Sequence, residues 1–379
     1  MLTKVKISGY KGFQDFEWTP KQINLLMGRN GSGKTALLEV IDFMKHVVLS
    51  FHPVSEFLPR QVFQQHHGLR KASLGYSTSG NSGPAITVEL HLQAVQDEIS
   101  YRIVVQCPDE SAEAEVIHEE LRCNGSLSYQ FNGSEVKVYA PERAAFRMLG
   151  KSSPLSSLAY DPSGLRQLKE FLFYTKLIRF QASAVKAWSS DSAVWLDRSG
   201  ENLSGILVKL NSKNPSAFAS LEAELRQAIT GMRKIIFLKH PSQDTRYPVF
   251  VFGSADATEY SLTLDQLSEG QRALIALHEV LVGELDRLRL LMVDEPENHL
   301  AIFEMQPWLS ALVDKAMVSG TQLILASHHP EFIDYLAQSN GFAMSKQSTG
   351  PITITSLSDL VDPEEMRKAS ELLAMGEVG

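Results

Sequence analysis

Cysteine is nearly missing from this chain. Cys107 and Cys123 are the only two in 379 residues and form no Cys-x-x-Cys pair. That removes a disulfide framework and a cysteine-based zinc site, and it fits a reducing cytoplasm. Long apolar runs are absent too: no stretch approaches the ~18 residues that would cross a bilayer. The opening MLTKVKISGYKGF lacks the apolar core of a secretory signal. The expectation is therefore a cytoplasmic protein with no membrane partner. Positive charge is also short. The formal net charge of −8 argues against a broad electrostatic grip on nucleic acid and leaves room only for a local basic patch. No heptad run is long enough for a coiled coil, and no internal repeat is visible. A hydrophobic share of 44% is ordinary for a folded chain of one large or two smaller domains.

What is present begins with strand patterns. Leu2–Ile7 alternates apolar and polar residues, and Gln22–Met27 is a short apolar run that ends on Gly28. Leu37, Val40, Ile41 and Met44 then recur at helical spacing, predicting a helix over Ala36–Leu49. Four strand-like runs follow: Ile86–Leu92, Tyr101–Cys107, Val116–Cys123 and Leu127–Val138. They are punctuated by Asn124-Gly125 and Asn132-Gly133, and predict a small antiparallel sheet. The Ser- and Gly-rich stretch Ser73–Pro84 reads as a surface loop. Residues 142–234 read as mostly helical, with a short strand at Lys176–Phe180. Ile235–Leu238 and Val249–Phe252 read as strands. Arg289–Val293 and Gln322–Ala326 are apolar runs ending in polar residues, as buried parallel strands do. The expected organisation has three segments: 1–140 with the glycine loop and antiparallel sheet, 141–234 as a helical insertion, and 235–379 as a C-terminal lobe.

Four motifs carry chemistry. Gly28-Arg29-Asn30-Gly31-Ser32-Gly33-Lys34-Thr35 fits GxxxxGK[ST] in full, with a strand before it and a helix after it. In such a loop the glycines turn backbone N–H groups toward phosphate oxygens and the helix adds its positive end. Lys34 would reach the β/γ-phosphates of a nucleotide, and the Thr35 hydroxyl would ligate Mg²⁺. The alternative, a glycine loop that binds nothing, does not explain why strand, loop and helix occur together. Leu290–Asp294-Glu295-Pro296 is an apolar strand ending in two acids. Asp294 suits the Mg²⁺ shell, and Glu295 is placed to orient or deprotonate the attacking water. Many strands end in solvated acids, so this pair gains its meaning from the phosphate loop. Leu323–Ala326 runs into Ser327-His328-His329, where His328 could touch a γ-phosphate or hold the water; His329 is one residue further from the strand. A lone histidine there would more commonly be a surface residue. Last, Leu267-Ser268-Glu269-Gly270-Gln271-Arg272 opens an amphipathic helix (Leu274, Leu277, Leu281, Leu285) far along the chain from the first loop. Its simple reading is a Ser268 N-cap with Gln271 at N3, a capping box. Its functional reading is a second phosphate-contacting turn.

These motifs in this order resemble the ABC-type ATPase head, a group that includes SMC proteins, RecF and the overcoming-lysogenization-defect ATPases. "LSEGQ" looks like its signature motif. The start "VKISGYKGFQDFEW…INLLMGRNGSGKTALLEVI" is similar to the RecF/SMC start, and "LDRSGENLSGILVKLNSKNPSAF" with "ITGMRKIIFL" to the stand-alone predicted bacterial ATPases of this group. The resemblance implies an α/β P-loop NTPase head with an antiparallel side sheet and a helical insertion. It implies ATP and Mg²⁺ as cofactors, and hydrolysis to ADP and phosphate. It also implies a head-to-tail homodimer, or a higher even-numbered homo-oligomer, in which Ser268, Gly270 and Gln271 act on the nucleotide held by the partner copy. It asks for a Q-loop glutamine that contacts the metal. Gln181 is the candidate, with Gln106 and Gln64 as rivals, and Tyr10-Lys11-Gly12 is a candidate adenine contact. The sequence departs from the family where Leu-His-Pro often follows the acids: here stand Leu300-Ala301-Ile302, so a D-loop histidine is lost.

Stand-alone heads of this group resemble switches for a separate effector, a nuclease or toxin, in anti-phage or toxin–antitoxin-like systems. Too few residues follow His328 for the TOPRIM nuclease that related enzymes append. A RecF-like, DNA-binding role in repair or maintenance is the alternative, with basic residues at Arg60, His66, His67, Arg70 and Lys71, and at Arg226, Arg233, Lys234 and Lys239. A solvated charged face is the simpler account of them. The energising subunit of a transporter fits less well, because the span between phosphate loop and signature is too long for that class. A C-terminal helix over 362–376 starts at Asp362-Pro363 and stops at Gly376.

Overall fold

The computed structural model describes residues 1–50, 85–106, 114–139, 144–147, 152–159, 161–189, 194–241, 245–253, 259–298, 300–346 and 350–359. The surface loop expected over 73–84, the basic residues between Arg60 and Lys71, Gln64, Cys107 and the helix expected over 362–376 all lie outside them. Contacts group the chain into two units, Met1–Thr175 with Ile333–Gly379, and Lys176–Phe332. This grouping follows packing, whereas the three expected segments follow order along the chain.

The first unit holds a sheet of eight strands in the order β2-β1-β4-β5-β6-β7-β8-β9. The strands are β1 (Leu2–Ser8), β2 (Phe16–Trp18), β4 (Ala85–Gln93), β5 (Glu98–Gln106), β6 (Glu115–Cys123), β7 (Ser126–Phe131), β8 (Glu135–Val138) and β9 (Ala144–Arg147). Every pairing is antiparallel. The sheet is thus larger than expected, because the N-terminal strands join it: Val5 pairs with Leu90 and Ile7 with Val88. One face is apolar and closed, with Val5, Ile7, Val88, Leu90, Ile103, Tyr101, Tyr129 and Phe131 at 0–1% exposure. Burying that face at about 25 cal/mol per Å² is the main favourable term for such a layer. Inside it, Glu119 is fully buried and accepts the hydroxyls of Tyr101 at 2.8 Å and Tyr129 at 2.7 Å. Burial pushes its carboxyl up, and the hydroxyl donors oppose that shift.

The same unit contains β3 (Ile23–Met27), buried at all five positions. It pairs in parallel with β16 (Gly341–Lys346), which pairs antiparallel with β17 (Ile352–Ser356). Helix α1 (Lys34–Leu49) follows β3 after the glycine loop, and buries Leu37, Leu38, Ile41, Met44 and Val48. It starts two residues before the expected Ala36. Helix α2 (Leu165–Phe173) packs on α1.

In the second unit β10 (Thr175–Ile178), β14 (Leu290–Asp294) and β15 (Gln322–Ala326) lie side by side in that order. β14 and β15 are parallel and in register, Leu290 with Gln322 through Asp294 with Ala326. Both strands are buried at every position, as apolar runs in a doubly covered parallel sheet must be. A second sheet, β11 (Met232–Lys239), β12 (Arg246–Phe252) and β13 (Tyr260–Thr263), is antiparallel. The helices are α3 (Leu203–Lys213), α4 (Pro215–Ala228), α5 (Glu269–Glu279) and α6 (Ile302–Ser319), and α7 (Pro330–Asn340) carries the chain out of the unit. Trp308 of α6 is 1% exposed and donates its indole N–H to Leu277 O of α5 at 3.1 Å.

The helical reading of 142–234 needs correction at two places. Glu142–Arg147 is built of good helix formers, yet Ala144–Arg147 is a strand, held by pairing such as Val136 with Phe146. Strand pairing overrides a weak local preference. Residues 182–189 and 194–202 form one short 3-10 turn, Ala182–Ala184, and otherwise irregular chain. Asp197 organises that chain by accepting the N–H groups of Gly200 at 2.6 Å and Glu201 at 2.9 Å, an alternative to helix that Asp offers its backbone neighbours.

Candidate nucleotide site

The phosphate loop lies in the first unit. Gly28 ends the buried strand with φ 148, and a Cβ there would stand 2.2 Å from Met344 O and 2.9 Å from Ser32 Oγ. Gly33, with φ 103, is the N-cap of α1, and a Cβ there would meet Ile352 Cδ1 at 2.6 Å. Only glycine fits either place. No side chain caps α1, and its first turn contains no acid, so the positive end of the helix macrodipole is not already neutralised there. Ser32 is 5% exposed, and its Oγ is buried without a hydrogen-bond partner among the described residues. A buried hydroxyl in that state asks for an acceptor or donor. Lys34 is 6% exposed and donates Nζ to Gly28 O at 2.6 Å and Arg29 O at 3.2 Å. Arg29, Asn30 and Gly31 are exposed, and Thr35 is half-buried. Glycine cradle, orphan hydroxyl and lysine together fit the phosphates of a nucleotide.

Beside this loop, the segment read as an adenine contact is largely committed. Tyr10 is buried and stacked on Phe13, Lys11 pairs with Glu39 at 2.5 Å, and Gly12 O accepts Ile352 N–H at 3.0 Å.

The second unit holds the acids, the histidine and the signature turn. Because β14 and β15 are in register, the residues after each strand emerge together. Asp294 is 3% exposed, and its Oδ2 stands 3.5 Å from Arg179 Nε, beyond β10. Glu295 donates its N–H to Ala326 O at 2.8 Å and has φ 51. A left-handed non-glycine residue is strained, and such strain gathers at functional sites. The Glu295 side chain is partly exposed and accepts Asn298 Nδ2 at 3.1 Å. His328 is half exposed, with Nδ1 3.8 Å from Glu295 Oε1 and 3.5 Å from Glu297 Oε1. His329 turns its backbone N–H to Ser327 Oγ at 3.0 Å. The structure thus brings Asp294, Glu295 and His328 to one end of the parallel strands.

The signature turn heads α5. Ser268 is the N-cap: its Oγ accepts Gln271 N–H at 3.2 Å, and Gln271 Oε1 accepts Ser268 N–H at 3.0 Å. The capping box is therefore formed, and Ser268 is exposed while Gly270 and Gln271 are half-buried. Arg272 ties the turn to the chain after β10 by donating Nη1 to Ala182 O at 2.8 Å. Gln181 is exposed at the head of that 3-10 turn, and its N–H bonds Ser199 O at 2.9 Å. Gln106, its rival, is paired in the antiparallel sheet with Ala85 and Glu115.

Two residues of this corner escape a reading of sequence. Arg179 follows the end of β10 and supplies the charge beside Asp294. Glu297 is 7% exposed and accepts Ser327 Oγ at 2.7 Å and His328 N–H at 3.2 Å. In the sequence it is one more acid in Asp-Glu-Pro-Glu; only the register of two distant strands gives it partners. Among the described residues no three His, Cys, Asp or Glu side chains form a metal cage. Thr35 at the loop, and separately Asp294 at the end of β14, each offers a hard oxygen donor of the kind Mg²⁺ takes. A cavity of about 570 Å³ lies elsewhere, lined by Asp97, Cys123, Asp161 and Arg166 among others, and takes in none of the residues expected to bind nucleotide.

Comparison with known proteins bears on the family and the fold. Residues 23–334 match the family described as "AAA domain, putative AbiEii toxin, Type IV TA system". The chain belongs to that family. Among solved structures it is similar to the SMC head bound to the C-winged helix domain of ScpA, at 14% identity and TM-score 0.54, over 94% of this chain and 98% of that one. It also matches the SMC head domain from Thermotoga maritima, at 14% identity and TM-score 0.45, over 94% and 98%. No curated protein sequence matches it. The fold is that of an SMC-like, ABC-type P-loop ATPase head, with the antiparallel sheet the sequence predicts. No described helix is long and apolar enough to cross a membrane.

Proposed function

We propose that this head binds ATP with Mg²⁺, closes head to tail with a second copy around it, and reopens on hydrolysis. A separate effector, a nuclease or toxin, reads the state in an anti-phage or toxin–antitoxin-like system. Lys34 and the loop amides from Gly28 to Thr35 hold the phosphates. Thr35, Asp294 and Gln181 serve Mg²⁺, which withdraws charge from the phosphates when bound. Glu295 accepts the proton of the attacking water, and His328 steadies that water or the γ-phosphate. Ser268, Gly270 and Gln271 contact the nucleotide of the other copy. The observation that carries ATP binding is the glycine cradle with its buried, unpartnered Ser32 hydroxyl. The pairing is supported by the signature turn: its helix start is fully formed and Ser268 is exposed, so it is ready for an anion without rearrangement. The DNA-binding alternative draws less support, since Arg233 of the described basic group is engaged with Glu259 at 3.0 Å.

The test is the solution mass of the Glu295→Gln protein by light scattering, with and without Mg-ATP. The expected mass doubles with ATP, and the added change Ser268→Arg abolishes the doubling. A mass indifferent to ATP overturns the ATP-closed pair.

A further inference from the structure

We propose that Glu297 is a positioning residue that sets His328 for the reaction; this rests on the ATPase reading above. Its Oε1 gathers three groups of the segment after β15: Ser327 Oγ at 2.7 Å, His328 N–H at 3.2 Å and His328 Nδ1 at 3.5 Å. A carboxylate oxygen can accept several donors, which a hydroxyl or amide hydrogen cannot. The arrangement is deeply placed. Ser327 is fully buried and Glu297 is 7% exposed, and Glu297 Oε2 is buried with no hydrogen-bond partner among the described residues. A carboxylate kept in such a place at a desolvation cost needs its remaining partners, so the contact constrains both sides. Glu297 stands on the turn after β14 and its partners stand after β15, so one side chain clamps the ends of two parallel strands. The imidazole it orients is half exposed and faces Glu295, 3.8 Å away. Glu295 is the more open of the two acids and is held by Asn298. The division of labour is therefore clear: the exposed acid faces the water, and the buried acid fixes the backbone that presents the histidine.

The test compares wild type, Glu297→Gln and Glu297→Ala by ATP turnover and by hydrogen exchange at the His328 amide. The alanine variant is expected to lose roughly ten- to a hundredfold in kcat, the scale of a misplaced catalytic group, with KM for ATP within about twofold of wild type. Its His328 amide exchanges faster. The glutamine variant keeps an acceptor oxygen for Ser327 and His328, and behaves like wild type in both readouts. Should Glu297→Ala not fold, Glu297→Asp, which retains the charge but falls one methylene short, is read in its place. Wild-type turnover in a folded alanine or aspartate variant overturns the proposal, as does unchanged exchange at His328. If the wild type itself does not hydrolyse ATP, the ATPase reading falls, and the exchange comparison still decides whether Glu297 holds His328.

Discussion

The phosphate loop and the acid–histidine corner both present polar groups at the ends of buried strands, but they are made of different material. In the proposed function the loop works through backbone amides, and the residues that shape it are those without side chains: Gly28, pressed against Met344 O, and Gly33, pressed against Ile352. In the same proposal the corner works through carboxylates and an imidazole, held by other side chains through Oε1 of Glu297 and by Asn298. A backbone device is specified within eight consecutive residues. A side-chain device is specified by strand register, Asp294 beside Ala326, and so by residues some thirty positions apart whose relation no local pattern states.

That difference predicts how each fails. The loop should break as a unit. Gly28→Ala places a methyl 2.2 Å from a backbone oxygen at φ 148, and neither the strand nor the loop can yield without losing its own hydrogen bonds. The cost is expected to be about 3 kcal/mol or more. Thermal unfolding should shift down by many degrees, and ATP binding, measured by calorimetry, should vanish with it. A stable Gly28→Ala protein that still binds ATP would show that the cradle is not built as described.

The corner should fail by function and not by folding. Glu295→Gln is nearly isosteric, and its side chain is already partly exposed, so stability should hold. Turnover is expected to fall by roughly a hundredfold or more, the usual worth of a general base, with ATP affinity retained. Lys34→Ala gives the opposite pattern. On the proposed reading it removes a charge-assisted contact to phosphate worth about 3 kcal/mol, so affinity should weaken roughly a hundredfold. Measuring Kd and kcat for both variants sharpens the comparison; equal losses of affinity in the two would erase it.

The same distinction decides what the sequence reveals. GRNGSGKT is legible because glycine positions report backbone shape directly. The Ser268–Gln271 capping box is legible because it closes within three residues. β3, β14 and β15 are legible because apolar runs of that length suit a covered parallel strand. β9 is not, since Ala144–Arg147 lies in a run with the composition of a helix and becomes a strand only by pairing with β8. The residues around Asp197 are not, since its carboxylate accepts the N–H groups of Gly200 and Glu201 in place of helix. Glu297 and Arg179 are not, since each acquires its role from a partner on another strand.

The burden of burying carboxylates also differs between the two units. Glu279 ends α5 and is 2% exposed, and its Oε2 is buried with no hydrogen-bond partner among the described residues. By contrast, Glu119 in the first unit receives two tyrosine hydroxyls. Burial pushes the Glu279 carboxyl well above the usual range. The neighbouring charge of Glu284, itself ion-paired with Lys176, pushes it further, and Lys176 opposes the shift. The folded protein therefore keeps this proton at pH values where the unfolded chain has released it. The stability that this group contributes is complete below the unfolded value near 4.5; it declines as pH rises through the folded value. Glu279→Gln cannot release a proton, so its stability should not decline in that way. Relative to wild type the variant should gain steadily between pH 5 and pH 8 in denaturant melts, whereas Glu119→Gln, which disturbs an acceptor with two good donors, should start from a lower stability at pH 5. A wild type and Glu279→Gln pair that run parallel across that range would mean that Glu279 is ionised at little cost. Lys176 would then be serving both acids and not Glu284 alone.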